Sequence, residues 1–363
     1  MGTAALISHL FRQVQKISRT GGENLEMDQT ITLDSGQYGI RPYQRADKEA
    51  VIRLWETVFE KPLNRDYWDW KYFANPYGQR IMLATSEAGE PLVFYGGIPY
   101  RANLEGRTVE VIHLMDIMSH PAYRKTGLFV KTVEAFIDRF GADDRAVLFY
   151  GFPGQYHFQI GNRYLKYREL SGGANFWTAD PRTLSSHGDP PGEIFEIAGD
   201  AGAFDELWLK NAKYYPFSII RDAKFINWRF KLKPEASYEI YGYRVEPGQG
   251  RAQGMAQGMA GYAVFVRNAD AVVMADMLMP PDKAIFQGFM TKVADRWVQK
   301  GIKRVETWLP ANHFLNRLLS ETGFSRLPEP LGFIPTGRSF ASFLPLDWVV
   351  NHMYYSMADA DLF

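Results

Sequence analysis

The sequence of 363 residues contains no cysteine. Disulfide bonds, zinc sites built on thiolates, and catalysis through a cysteine nucleophile are therefore excluded. Any acyl or phosphoryl chemistry must use another nucleophile or pass the group directly to the substrate.

An excess of one charge sign is also lacking, because 41 Lys and Arg balance 41 Asp and Glu. A balanced chain does not predict a nucleic-acid partner, which a strongly basic surface would attract. No apolar run reaches the ~18 residues that a bilayer-spanning helix needs. We therefore expect a cytoplasmic protein without stable membrane insertion. The histidines show no metal-ligand spacing, so no metal is expected.

The N-terminal extension, residues 1–35, begins with the short apolar stretch 4–11, followed by Arg12, Lys16 and Arg19. This pattern predicts an amphipathic helix, either loose or docked, with a membrane-surface anchor as the alternative. At ~150 residues per domain, the remaining length predicts two domains.

Apolar periodicity and turn residues predict a mixed α/β architecture, an α+β mixed sheet with flanking helices. In the first half, helices are predicted over 46–59, 65–73 and 128–140. Strands are predicted over 80–86, 91–101, 108–119 and 146–152.

The second half repeats this order. Residues 115–121 (MDIMSHP) fall on 275–281 (ADMLMPP) at an offset of 160, and Trp70-Lys71-Tyr72 falls on Trp228-Arg229-Phe230 at 158. Small drifts in offset are what loop insertions in a duplicated unit produce. Two unrelated α/β domains with coincidentally similar order are the alternative.

The repeat predicts a domain over 36–170 and a second copy over 214–363. Residues 171–213, rich in Gly, Pro and Ser, are predicted to form a linker with a helix and a small hairpin from 174–178 and 193–198. The low-complexity repeat at 252–259 predicts a mobile hairpin tip between two strands.

The loop before the helix at 128–140 carries Arg124, Lys125, Thr126 and Gly127, followed by Leu128 and Phe129. A glycine permits close backbone approach, and the unpaired amides of a helix N-terminus favour an anion. Arg124 and Lys125 add positive charge. The loop therefore suits a diphosphate.

These residues resemble the acyl-coenzyme A loop of the GCN5-related N-acetyltransferase (GNAT) superfamily, which reads Gln/Arg, two residues, Gly, one residue, Gly/Ala. Arg124 and Gly127 match, whereas Phe129 stands at the final small position. The approach 121–124 (PAYR) is similar to the family's Pro-x-Tyr-Arg, and 321–324 (ETGF) to its Gly-Phe ending. The resemblance runs from about 38 to 167 and extends into the second half.

The resemblance implies a tandem GNAT-like acyl-CoA N-acyltransferase fold of a bacterial type, often associated with surface-polysaccharide genes. It implies acetyl-CoA as co-substrate, held by backbone amides near Met118 and Ser119 and by the loop from Arg124 to Phe129. At the offset of 160, Arg124 becomes Ala284 and Gly127 becomes Gln287. The second copy is therefore expected to be degenerate, with one coenzyme site per chain, and either to shape the acceptor pocket or to pack structurally.

Three residues are candidates for acid–base catalysis: Asp116 and His157 as bases and Tyr156 as the acid for the leaving thiolate. A structural contact is an equal alternative for Asp116, because Asp276 recurs in the half that lacks the loop. His113 is favoured as a core histidine, and Tyr164 and Tyr167 compete with Tyr156.

The resemblance implies an N-acetyltransferase that moves an acyl group directly to a small-molecule amine, with an amino sugar of a surface polysaccharide as the suggested acceptor. One alternative is an aminoacyl-tRNA-dependent transferase of the peptidoglycan-bridge type. Another is a non-catalytic CoA-binding or scaffold protein. The sequence does not specify an oligomeric state.

Overall fold

The computed structural model describes residues 29–170, 173–186, 188, 190–197, 202–245 and 258–360. The expected N-terminal helix and most of the 252–259 repeat lie outside these residues. Across the described ranges, no helix is both long and apolar enough to cross a membrane.

The chain alternates short strands with helices. The helices are α1 Lys48–Phe59, α2 Arg65–Tyr72, α3 Leu128–Phe140, α4 Gln155–Leu165, α5 Pro181–Ser185, α6 Gly202–Asn211, α7 Ala223–Ile226, α8 Lys283–Gln299, α9 Leu315–Thr322 and α10 Leu346–His352. The strands of the first half are β1 Gln29–Leu33, β2 Gly36–Pro42, β3 Arg80–Thr85, β4 Pro91–Leu104, β5 Arg107–Leu114, β6 Met118–Ser119, β7 Ala146–Gly151 and β8 Arg168–Glu169. Those that follow are β9 Ala174–Ala179, β10 Glu193–Glu196, β11 Phe217–Ile219, β12 Tyr238–Arg244, β13 Met259–Asn268, β14 Ala271–Leu278, β15 Arg304–Pro310, β16 Ser325–Leu327, β17 Thr336–Ser339 and β18 Met353–Tyr354.

The first sheet has the order β1-β2-β3-β4-β5-β7-β17-β8. Neighbours along this order are antiparallel except β5 and β7, which run parallel because α3 crosses over between them. The strand predicted over 108–119 is interrupted, since Asp116 adopts a left-handed φ of 52° between β5 and β6.

The second sheet has the order β10-β12-β13-β14-β15-β9-β16 and the same plan. Three antiparallel strands, β12 to β14, precede α8, and β15 then lies parallel to β14. The predicted mixed α/β fold with flanking helices is confirmed.

Each sheet is completed by a strand from the other half. β9 follows the first half but inserts between β15 and β16, whereas β17 follows the second half but inserts between β7 and β8. β11 and β18 also join the first sheet through β4. The strands thus cross the domain boundaries expected at 170 and 214.

The small hairpin expected between 174 and 198 is not formed. β9 pairs with β15 and β16, while β10 pairs with β12. Each apolar segment finds a longer partner in the second sheet, and that pairing buries more surface than a two-stranded hairpin would.

The two halves pack around a pair of tryptophans at repeat-related positions. The rings of Trp70 and Trp228 stack with centroids 5.0 Å apart. Each indole Nε1 donates to the other residue's carbonyl oxygen, at 2.9 Å from Trp70 and 3.1 Å from Trp228. The reciprocal contact is what a pseudo-twofold relation between two copies of one unit predicts.

Candidate active site

The first cleft is the space where β6 separates from the end of β7. β5 pairs with β7 as far as His113 and Tyr150, but β6 pairs with β4, through Val93–Ser119 and Phe94–Met118. The turn at Asp116 redirects the chain, so the two strand ends diverge and leave an opening.

Backbone groups of β6 face this first cleft. His120 N donates to Leu92 O at 2.8 Å, and antiparallel pairs alternate between bonded and non-bonded positions. The backbone N–H and C=O of Met118 therefore point toward β4, while the Ser119 N–H and the Ile117 C=O point away from β4. Of the two positions expected to hold a coenzyme through their amides, Ser119 is the one directed into the cleft.

The phosphate loop, residues 120–127, is shaped by its own hydrogen bonds. The Thr126 hydroxyl donates to Tyr123 O at 2.8 Å and accepts from Leu128 N at 3.3 Å. Arg124 is exposed, and its Nε donates to Ser119 O at 3.3 Å. The guanidinium thus stays at the rim of the first cleft.

Gly127 is the N-cap residue of α3, with a φ of 89°. A Cβ at this position would meet nothing within 4 Å, so the space in front of the helix N-terminus is open. Lys125 is exposed and also left-handed, with a φ of 69°. The first turn of a helix leaves amides without intrahelical acceptors; Thr126 caps Leu128 N, while Gly127 offers no side chain to cap the amides that follow.

Leu128 and Phe129 anchor α3 through their side chains. Leu128 is buried in the core, and the ring of Phe129 meets Tyr95 edge-on with centroids 5.8 Å apart. The Phe129 side chain is thus directed toward the core.

Asp116 is engaged by two partners from α2. Its Oδ2 lies 2.7 Å from the Nζ of buried Lys71 and accepts a hydrogen bond from the Tyr72 hydroxyl at 2.7 Å. These contacts hold α2 against the turn between β5 and β6. They favour a structural role for Asp116 over that of a base.

His157 and Tyr156 lie in the first turn of α4, after the end of β7. The His157 side chain is exposed at the surface, but partial desolvation lowers its pKa and the nearby Arg124 cation lowers it further. Tyr156 is 71% exposed and meets the His157 ring edge-on. The structure therefore brings His157 close to the phosphate loop, whereas Tyr156 faces solvent.

Of the competing residues, His113 and Tyr167 are held in the core, whereas Tyr164 is exposed. His113 is buried and stacks on Tyr150 with centroids 4.9 Å apart. The Tyr167 hydroxyl is bonded to that of Tyr95 at 2.9 Å.

The second cleft, where β14 separates from β15, is closed by the chain itself. The Tyr215 hydroxyl donates to Met279 O at 2.8 Å and accepts from Met279 N at 2.9 Å. The Tyr354 hydroxyl donates to Met277 O at 2.7 Å. Met277 and Met279 are the repeat equivalents of Ile117 and Ser119, so tyrosines occupy the groups that the first cleft leaves open.

The helix after the second cleft is capped as well. Asp282 accepts from Ala284 N at 2.9 Å and Ile285 N at 3.1 Å. β14 ends at Leu278 and α8 begins at Lys283, whereas β6 ends at Ser119 and α3 begins at Leu128. The second half has therefore shortened the phosphate loop, and Ala284 and Gln287 lie within α8.

The sequence did not reveal Tyr215 or Tyr354 as the groups that close the second cleft. Both lie far from Met277 and Met279 along the chain, and hydrogen bonds from a tyrosine to a backbone leave no periodic pattern. The capping Asp282, a residue type favoured before a helix, was a signal present in the sequence.

Comparisons with known proteins agree with this geometry. Residues 39–164 match the model of the acetyltransferase (GNAT) domain family. No curated protein sequence gives a significant match.

Solved structures share the fold over most of the chain. A protein from Enterococcus faecalis described as a probable N-acyltransferase gives a TM-score of 0.65 at 12% identity, covering 84% of this chain and 73% of its own. A GCN5-related N-acetyltransferase from Anabaena variabilis gives 0.61 at 13%, with coverages of 84% and 73%.

A glucosamine N-acetyltransferase region within a fungal multi-domain β-N-acetylglucosaminidase gives a TM-score of 0.53 at 12% identity. The alignment covers 87% of this chain and 39% of that one. At such identities the similarity concerns the fold. Residues 39–164 therefore match the acetyltransferase (GNAT) domain family, and the chain as a whole shares the fold of these solved structures.

Proposed function

We propose that the first cleft binds acetyl-CoA and that the protein transfers its acyl group directly to a small-molecule amine. The observation that carries this proposal is the contrast between the clefts. The first leaves Ser119 N–H, Ile117 C=O and the N-terminus of α3 open, whereas the chain satisfies the corresponding groups of the second.

Each part of the first cleft has a task in this reaction. The α3 amides, Arg124 and Lys125 bind the diphosphate, because a helix N-terminus and mobile cations both favour an anion. Thr126 shapes the loop, and Ser119 N–H is placed to hold the pantetheine and polarise the thioester carbonyl. Without cysteine in the chain, an amine bound beside the thioester attacks it directly: the C–N bond forms, the C–S bond breaks, and the leaving CoA thiolate takes up the proton that the amine releases.

His157 acts at the phosphate end of the cleft in this proposal. Its lowered pKa keeps the imidazole neutral near pH 7, so it can hydrogen-bond a phosphate or take up a proton when an anion offsets Arg124. Asp116 fixes the strand turn that opens the cleft, and Tyr156 lines its rim.

An amino sugar is the acceptor that we propose. The structural neighbour described as a glucosamine N-acetyltransferase region supports this choice, since its fold covers 87% of this chain. We also propose that the reaction takes place in the cytoplasm, where acetyl-CoA is produced.

Isothermal titration calorimetry with acetyl-CoA tests the coenzyme site. We expect one molecule bound per chain and at least a tenfold weaker Kd in Arg124→Ala, because the variant removes a cation from the diphosphate site. Lys131→Ala, whose ammonium is paired with Glu134 at 2.8 Å one turn into α3, is the matched control. Unchanged binding in Arg124→Ala would refute the site, and free CoA release with amines tests the transfer itself.

A further inference from the structure

Among the buried polar atoms that have no hydrogen-bond partner within the described part of the chain are the Tyr150 hydroxyl, Trp308 Nε1 and Asp359 Oδ1. Tyr150 and Trp308 are 1% exposed and Asp359 is 4% exposed. Buried polar groups are nearly always paired, because an unpaired one weakens the fold. A bound molecule would supply the missing partners.

Two of the three side chains, Tyr150 and Trp308, pack around one ring, that of Phe152. Its centroid lies 6.1 Å from that of Tyr150 and 5.5 Å from that of Trp308. It lies 5.3 Å from Tyr355, four residues before Asp359 in the sequence. Burial raises the pKa of the Tyr150 phenol well above its usual value, and the nearby Asp359 carboxylate adds to the rise.

This cluster lies at the end of β7, on the side of the first sheet opposite α3. Phe149 packs on Phe136 of α3 with centroids 5.1 Å apart, and successive strand residues point to opposite faces. Tyr150 therefore faces the second half. A coenzyme held at the N-terminus of α3 and an acceptor at Tyr150 would meet at the first cleft from opposite sides.

The charges around Asp359 favour a cation. Buried Arg221 bonds two carboxylates, Asp276 through its Nε at 3.0 Å and Asp359 Oδ2 through its second terminal nitrogen. Burial raises the pKa of Asp276 against the lowering by Arg221, and Asp359 adds to the rise. One guanidinium thus pairs with two carboxylates, and Asp359 Oδ1 remains available to accept a hydrogen bond from an N–H group.

We propose that Tyr150, Trp308 and Asp359 form the acceptor subsite, in which Asp359 Oδ1 accepts from the ammonium of an amine, which loses one proton to solvent before it attacks, while Tyr150 and Trp308 donate to the acceptor's hydroxyl oxygens. The subsite rests on the proposed acyl transfer and specifies its acceptor as an amine flanked by hydroxyls, such as an amino sugar. The surrounding rings of Phe152 and Tyr355 offer a surface for the apolar face of a sugar.

The cavity that adjoins the cluster at His113 and Ala358 measures about 10 Å³, enough for one water molecule. The ring of Phe152 must therefore move for a sugar to reach the three polar groups.

The test compares wild type with Tyr150→Phe and Trp308→Phe, using acetyl-CoA and either D-glucosamine or cyclohexylamine, which has no hydroxyl. Free CoA is measured. We expect kcat/KM for glucosamine to fall at least tenfold in each variant and that for cyclohexylamine to change less than twofold. Because the Tyr150 hydroxyl is unpaired, Tyr150→Phe should keep or raise the unfolding temperature.

Tyr43→Phe is the matched control. The Tyr43 hydroxyl accepts from Trp68 Nε1 at 3.1 Å, away from the cluster, so its removal should lower the unfolding temperature and leave glucosamine kinetics unchanged. The opposite behaviour of the two Tyr→Phe variants separates a recognition role from a structural one.

Unchanged glucosamine kinetics in both cluster variants, or equal losses with both amines, would overturn the subsite. If the wild type releases no CoA with any amine, acyl transfer fails instead, and calorimetry with glucosamine then decides the subsite. Weaker binding in Tyr150→Phe would support it, while no binding to the wild type, or equal binding, would refute it.

Discussion

The two clefts of this protein are built by the same strand order but present opposite chemistry. In the first, Gly127 caps α3 without a side chain, and Ser119 N–H faces the opening. In the second, Asp282 caps α8 and Tyr215 bonds both backbone groups of Met279. The comparison teaches that strand divergence creates a cleft, while local capping decides whether a ligand can use its backbone groups.

The aspartate repeated in both clefts makes a second comparison. Asp116 is held by Lys71 and the Tyr72 hydroxyl, and Asp276 by Arg221 and the Tyr262 hydroxyl. A cation and a tyrosine thus recur around the carboxylate in the half that has lost its phosphate loop. This recurrence supports a structural role at both positions.

Separating the two halves should have the largest effect. Residues 1–170 expressed alone lack β17, so β7 and β8 lose the strand between them and we expect an aggregated or unfolded product. Circular dichroism and size-exclusion chromatography measure this. Co-expression with residues 171–363 should restore a folded complex. A 1–170 fragment that is folded and monomeric would contradict the view that the first sheet needs β17.

Gly127→Asp should remove coenzyme binding from the first cleft. It places a carboxylate in front of the α3 N-terminus at a φ of 89°, so we expect affinity for acetyl-CoA to fall at least about 100-fold, or ~2.7 kcal/mol. Gln287→Asp, at the equivalent repeat position, is the control and should bind like wild type in calorimetry. Equal losses in both variants would erase the distinction between the clefts.

Tyr215→Phe should destabilise the second cleft without opening a coenzyme site there. Met279 N and O lose their partner, which costs about 1–3 kcal/mol for a buried group and is measurable by urea unfolding. Acetyl-CoA stoichiometry should stay at one per chain, because α8 keeps its Asp282 cap. Tyr214→Phe, next to it and only partly buried, is the control. A second bound coenzyme would show that the tyrosine alone closes this cleft.

The smallest effect concerns His157. Partial desolvation and Arg124 lower its pKa, so protonation is disfavoured in the free protein. A bound diphosphate offsets Arg124 and should raise that pKa, and by linkage acetyl-CoA should bind more tightly as the pH falls below about 6.5. We expect the affinity of the wild type to change with pH by roughly two- to fivefold relative to that of His157→Gln. The variant is the reference because the ligand's own phosphates titrate with both proteins.

NMR titration of the His157 ring with and without acetyl-CoA checks the direction. A pKa unchanged by the ligand would place His157 away from the phosphates and return it to consideration as a base.

Local features of the fold were predictable because they depend on neighbouring residues. The helix 128–140, the strand 146–152 and the glycine-led loop between Arg124 and Leu128 follow from apolar spacing and turn chemistry. The interruption at Asp116 was not predictable from the sequence, because this left-handed non-glycine residue is held by Lys71 and Tyr72, which belong to another element.

Long-range pairings were beyond the sequence pattern. The segment 174–178 is a plausible strand anywhere, and only the vacancy between β15 and β16 directs it into the second sheet. Tyr150, Trp308 and Asp359 lie far apart in the sequence, and they become a candidate subsite because folding leaves one polar atom of each without a partner.

The sequence by itself determined the mixed α/β units, their repetition, and the loss of Arg124 and Gly127 equivalents from the second copy, since composition, periodicity and spacing encode these locally. The absence of cysteine likewise excluded a cysteine side chain as nucleophile. Only the tertiary structure decided which strands complete each sheet and which cleft is closed. Those outcomes depend on the burial and pairing of polar groups that lie far apart in the chain and come together only on folding.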